Sequence, residues 1–229
     1  MPTTSRMWRR SLALAAFCVV SALTTPAILP PATAAAPPPE WDGLELRPSK
    51  RVNLLYVRPD ASLAGYRHVR LAALQVAFDK NWNPNASRTP TSRLSKDDFE
   101  RIKTALAEEF AKVCATELSK GGYDLVTEAG ADVLDLTPFV IDLYITAPEK
   151  LTPGRTTTYT ADQGRMTLVA ELRDSETGQI LARAIDRRGA SWGGRFQVAS
   201  SVSNMAAARQ IIARWAAALR EELDAANGK

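Results

Sequence analysis

Three carboxylates in one short stretch, Asp132, Asp135 and Asp142, are the residues whose type and spacing come nearest to chemistry. A glycosidase-like centre needs two acids facing one another across a cleft. Asp135 and Asp142 stand seven apart in a strand-like run, which puts them on opposite faces unless Pro138 breaks the register. Solvated or turn-capping roles are therefore expected for them. His68 is the only histidine, so a histidine-based metal cluster cannot form. A Ser-His-Asp triad would have to use that one residue, which reads as part of a strand between Arg67 and Arg70, and no G-x-S-x-G elbow occurs. Cys114 is the one cysteine outside the N-terminal segment, since Cys18 lies within it. Its place beside the apolar stripe of a helix, near that helix's end, marks a buried small hydrophobe rather than a reactive thiol. Gly154 and Gly164 have no phosphate-loop spacing. No cofactor and no metal are expected.

The elements that would position these groups follow from periodicity. Ser95–Lys120 is the clearest helix. Ser95 and Asp98 form a capping pair, Phe99, Ile102, Leu106, Phe110, Val113 and Leu118 make the stripe, and Gly121-Gly122 stops it. A second helix spans Ser201–Ala226. Its stripe is Val202, Met205, Ala208, Ile212, Trp215, Leu219 and Leu223, with flanking alanines that would permit close packing on a sheet. The stretch from Tyr56 to Trp82 reads as a hairpin-like opening: a strand ending at Pro59, a turn over Asp60–Gly65, and a long strand with a one-residue slip near Ala72-Ala73. Tyr123–Thr127 and Asp132–Thr146 are two further strands. In the second, Phe139, Ile141, Leu143 and Ile145 are assigned to one face, and Pro138 to an edge or bulge. Met166–Arg173 and Gln179–Arg187 form a hairpin around Asp174–Gly178, with Met166, Leu168, Ala170 and Leu172 facing the core. The expected fold is α/β in the α+β sense: a mixed, mainly antiparallel sheet with two long helices packed on one face.

The chain has 229 residues, of which 45% are hydrophobic and 24% charged. Its start has the pattern of an export signal: Arg6, Arg9 and Arg10, then an apolar run from Leu12 to Leu23 too short to span a bilayer comfortably, then Ala32-Thr33-Ala34. Cleavage between Ala34 and Ala35 would release a periplasmic chain without a stable membrane anchor. Cys18 follows Phe17 and continues into apolar residues, so it does not fit a lipid-acceptor site. The segment removed holds three of the 29 basic residues and no acid, which leaves 26 against 25. The pI near 9.2 thus owes much to the signal, and nucleic acid has no compositional argument. Domain organisation is expected as 1–34 signal, 35–48 Ala/Pro-rich linker and 49–226 a single domain. Ala147–Arg165 reads as a long irregular loop, and loops of that length are usually functional. Lys150, Arg155 and Tyr159 in it, with Trp192 further on, are the candidate contacts for a protein partner.

Tyr56-Val57-Arg58-Pro59, Leu63, Gly65-Tyr66, then Glu171-Leu172-Arg173-Asp174, Thr177-Gly178, Leu181-Ala182 and Asp186-Arg187 resemble the bacterial envelope family called domain of unknown function 3313. The resemblance covers about Gly43 to Leu223. It implies an envelope protein of a family described mostly as lipoproteins, although the lipid-acceptor cysteine is missing here. It brings no catalytic residues. A looser, fold-level likeness joins the chain to the N-terminal domain of the Tol beta-propeller protein and to the curli secretion lipoprotein domain. The function expected is a non-enzymatic partner-binding or accessory module in the periplasm. A carboxylate-dependent glycan hydrolase or a small-ligand carrier are the alternatives, and the last requires an enclosed apolar pocket.

Overall fold

In a computed structural model, which describes residues 36–146, 158–160, 162–191 and 197–229, Pro38–Lys229 forms one compact unit. Its frame is a sheet of nine strands. These are β1 (Glu40–Trp41), β2 (Leu44–Arg47), β3 (Leu54–Val57), β4 (His68–Leu71), β5 (Gln75–Phe78), β6 (Asp124–Leu125), β7 (Val133–Ile145), β9 (Asp162–Asp174) and β10 (Ile180–Ser191). They run in the order β1-β2-β3-β10-β9-β7-β4-β6, with β5 also paired to β7. All pairings are antiparallel except those of β4 and β5 with β7 and of β4 with β6. Two short strands, β8 (Thr158–Thr160) and β11 (Gln197–Ala199), pair separately.

Helices α1 (Lys96–Ser119) and α2 (Ser201–Ala226) cover one face, as expected. The capping box of α1 is formed: the Ser95 hydroxyl accepts from the Asp98 amide, and the Asp98 carboxylate accepts from the Ser95 amide at 2.7 Å. The core joins Leu106, Phe110 and Leu118 of α1 and Ile212, Trp215 and Leu223 of α2 to Leu134, Leu136 and Val140 of β7 and Met166 and Leu168 of β9. Cys114 is buried among them. The β9–β10 turn is the expected one. Asp174 accepts from the Thr177 amide at 2.7 Å, and Gly178 takes a positive φ of 69°.

Five expectations need correction. First, the Tyr56–Trp82 stretch is no hairpin. β3 pairs with β2 and β10, whereas β4 pairs with β7 and β6, so the β9–β10 hairpin and β7 stand between them. Long strands with apolar faces took the centre, and the ten residues between β3 and β4 carry the chain across the sheet end. The slip at Ala72-Ala73 is real. It divides the expected long strand into β4 and β5, since four steps from Leu71 to Gln75 oppose three from Leu136 to Phe139.

Second, Pro138 lies in a central strand. It stands opposite that break, where the neighbouring ladder already lapses, so its missing amide goes unneeded there.

Third, the grouping of β7 residues by face holds only as far as its bulge. Val140 is buried and Ile141 is 38% exposed. Asp142 has φ 53°, and the register shifts between Ile141 and Tyr144, which returns Leu143 to the core.

Fourth, residues 40–47 are not linker. They form β1 and β2, with Leu44 fully buried. The prolines of 37–39 hid a strand pair that begins directly after them.

Fifth, Val202 of α2 is 78% exposed and outside the stripe, while Ala207, Ile211 and Ala216 are buried in it.

Candidate functional site

A feature of the described residues with the capacity to hold another molecule is a cleft of about 470 Å³ between α2 and the β3–β10 side of the sheet. The local sequence explains why it stays open. β10 turns Ala182 and Ala184 to the helix face, in register with Val57 and Leu55 of β3. From the other side α2 presents Ala216, Ala218, Ala225 and Ala226. Along this stretch small faces small, and a gap is left between the helix and the sheet on either side of the contacts that join them. Leu168, Leu172 and Leu219 continue the lining, with Phe110 and Cys114 of α1 at the floor. Burial pushes the Cys114 thiol up to about 12, so it is a neutral apolar wall at physiological pH.

Charge is confined to the rim. Arg51 reaches from the loop before β3 to α2. Its Nε donates to Glu221 at 2.8 Å and its Nη1 to Glu222 at 2.7 Å. Those hydrogen bonds and charges raise the guanidinium above its ordinary value. Ser49 and Ser62 complete the polar rim. The middle of α2 is pinned by Trp215, whose indole nitrogen donates to the buried Asp186 at 2.8 Å. Its C-terminal end is pinned by Asn227, which accepts from the Gly65 amide at 3.0 Å, and by Asp224, which accepts from the Tyr123 hydroxyl at 3.0 Å.

The sheet face away from the helices carries a row of paired charges. Arg70 binds Asp135 with two hydrogen bonds of 2.7 Å. Glu171 accepts from Arg173 at 2.8 Å and from Arg183 at 2.6 and 2.9 Å. Arg183 also meets Asp42 at 2.9 Å and lies 4.0 Å from the Trp41 ring centre. Burial alone would raise the Glu171 carboxyl, but hydrogen bonds from Arg183 and Arg173 outweigh it and hold the group below its ordinary range. Every one of these carboxylates is consumed by an arginine, which suits architecture rather than proton transfer.

The three candidate aspartates are not brought together in one site. Asp135 is taken by Arg70, Asp132 lies 3.5 Å from His68, and Asp142 sits in the β7 bulge. Among the described residues no group of three or more His, Cys, Asp or Glu could hold a metal ion. Tyr159 lies in β8, opposite Val198 of β11. Residues 162–165, read as loop, are the first part of β9. Lys150, Arg155, Trp192, Ala34 and Ala35 lie outside the described residues. The cleft residues were missed by sequence reasoning. The available signal was the pairing of Ala182-Arg183-Ala184 with the alanine-rich turn after Trp215.

Fold and cleft together define a class: an α+β domain with two helices on one face of a mixed sheet and a ligand-sized space beneath one of them. Residues 42–219 match the model of "Protein of unknown function (DUF3313)", and the chain belongs to that family. Among solved structures it is similar to the PelC dodecamer from Paraburkholderia phytofirmans, at 14% identity over 71% of this chain and 96% of that one, with a TM-score of 0.38. It is similar also to XCC0632 from Xanthomonas campestris, a DUF330 protein, at 13% identity over 71% and 86%, TM-score 0.33. A third is CT253 from Chlamydia trachomatis, at 8% identity over 72% and 99%, TM-score 0.35. No curated protein matches the sequence. Among the described residues, no helix is long and apolar enough to cross a membrane.

Proposed function

We propose that this protein is a non-enzymatic binding protein of the bacterial envelope, exported to the periplasm, whose cleft carries a small apolar ligand. The cleft itself is the observation that carries this reading. About 470 Å³ lies within the ~300–1,000 Å³ common for small-molecule sites, and the lining is apolar with polar groups only at the edge. Each methylene moved into such a space from water is worth about 0.8 kcal/mol before the costs of association. The N-terminal basic residues and apolar run support export. The protein-partner surface expected at Lys150, Arg155, Tyr159 and Trp192 gains no geometric support, because three of the four lie outside the described residues.

The hydrolase alternative is disfavoured by the same cleft. Glycan hydrolysis calls for two carboxyl groups roughly 5–10 Å apart, one of them with a raised pKa. Among the described residues only Glu222 lines the cleft as a carboxylate, and it is paired with Arg51.

A polarity-sensitive naphthalene dye tests the reading. Dye should gain fluorescence with the wild-type protein and lose that gain in Ala184→Leu, which fills the space from the sheet side. Equal dye binding by both proteins would refute the cleft as the site.

A further inference from the structure

The way into the cleft is set by how α2 is held, an inference that rests on the carrier reading above. Most of that hold is buried. Trp215 donates to Asp186, Ile212 and Leu223 are fully buried, and Asn227 accepts from the Gly65 amide just past the last turn. Swinging the helix away from the sheet would break these together. The loop before β3 is set as firmly. Ser49 accepts from the Arg51 and Val52 amides at 3.1 and 3.3 Å, the Arg51 carbonyl accepts from Arg188 at 2.7 Å, and the Asn53 amide donates to Asp186 at 3.0 Å.

A side chain makes the crossing between these two fixed walls. Arg51 and Glu222 both line the cleft, and Arg51 reaches Glu222 at 2.7 Å and its neighbour Glu221 at 2.8 Å. All three side chains are 43–46% exposed. Exposed ion pairs hold weakly and are screened by salt. A released Glu221 has a second cation at hand, since Nη2 of Arg220 is already 3.8 Å away. Arg51 ties its own loop through its backbone amide and carbonyl, so its guanidinium can swing clear without breaking either bond. We propose that Arg51 with Glu221 and Glu222 is a releasable strap across the mouth of the cleft, and that ligand enters and leaves when it opens. The guanidinium is spent on the two glutamates, so it gates the ligand and does not hold it. A strap that closes equally over the empty and the filled cleft slows entry and exit by the same factor and leaves affinity alone.

Stopped-flow fluorescence of the naphthalene dye, with the full protein, reads both rates. Arg51→Gln should speed association and dissociation alike, about three- to tenfold for the loss of two exposed pairs, and leave the dissociation constant within about twofold of wild type. The double variant Glu221→Gln/Glu222→Gln removes the same strap from the helix side and should do the same, so that misfolding of one variant leaves the other to decide. Arg51→Lys keeps the charge and should stay near the wild-type rates. Raising salt to about 1 M should bring wild type toward the Arg51→Gln rates and leave that variant nearly unchanged. Wild-type rates in both strapless proteins would overturn the strap while the carrier reading stands. Faster dissociation alone, with weakened affinity, would also overturn it, because Arg51 would then be holding the ligand itself. If the wild-type protein binds no dye, the carrier reading fails and the strap with it.

Discussion

The indole nitrogen of Trp215 donates to the carboxylate of Asp186 at 2.8 Å, and both residues are at least 95% buried. This bond ties α2 to β10 at one end of the cleft. Asp186 also accepts from the Asn53 amide at 3.0 Å and from Arg188, so one carboxylate anchors the helix, its own strand and the entry to β3.

Removing that carboxylate should cost more than removing the indole donor. Asp186→Ala leaves the Asn53 amide, the Arg188 guanidinium and the indole without their acceptor, and should destabilise by about 3–5 kcal/mol. Trp215→Phe keeps most of the packing and should cost about 1–3 kcal/mol. Urea unfolding followed by circular dichroism checks the order. A smaller loss in Asp186→Ala than in Trp215→Phe would show that the carboxylate is not the anchor.

Leu44 supplies a test of the boundary. A linker residue should tolerate substitution, whereas the fully buried Leu44 should not. Leu44→Ala is expected to cost about 3 kcal/mol, a fall of about 6–12 °C in melting temperature. An unchanged melting temperature would mean that β1 and β2 add nothing to the fold.

Gly164 faces the β7 bulge at φ 131°, and a Cβ there would stand 2.2 Å from the Tyr144 carbonyl oxygen. Gly164→Ala should therefore lower stability by at least about 2 kcal/mol, since both strain and overlap oppose it. Calorimetry would read this directly, and a neutral result would contradict the close strand approach.

Acid should weaken the fold in a defined window. Hydrogen bonds from the Ser95 amide and hydroxyl, supported by Arg101, lower Asp98 to about 2. Its unfolded value is about 3.9. The stabilisation is complete above the unfolded value and is lost as pH falls from about 4 through 2. Asp79, Glu171 and Asp174 are also lowered and push in the same direction. Unfolding free energy measured from pH 5 to pH 2 should fall, and Asp98→Asn should give a shallower decline below pH 4. Parallel profiles for the two proteins would rule out Asp98 as a contributor.

The Cys114 thiol should resist water-soluble disulfide reagents at pH 8 until denaturant is added, because burial both hides it and pushes it up to about 12. Rapid labelling of the native protein would show that the floor of the cleft is open to water.

What local sequence dictates was legible. The Ser95–Asp98 box, the Asp174–Gly178 turn and the two helical stripes each depend on residues within a few positions of one another. Partner choice between strands was not. Nothing near Tyr56 announces that its neighbour is Arg183, and the polyproline entry disguised Leu44. In β7 the alternation was visible but its phase was not, because Asp142 adopts a left-handed conformation in mid-strand and reverses the pattern after it. The cleft was illegible for the same reason: an alanine signals close contact or a void equally well, and only the facing residue decides which.

The pairing of Tyr56 with Arg183 also governs how the chain reaches this state. The two are 127 positions apart, so the seam between β3 and β10 closes a very long loop and must form late. Until the final third of the polypeptide has emerged, Leu54-Leu55-Tyr56-Val57 remains an apolar ribbon with unmet amides, a template for aggregation. Overproduction faster than this seam can close should therefore send the protein to inclusion bodies.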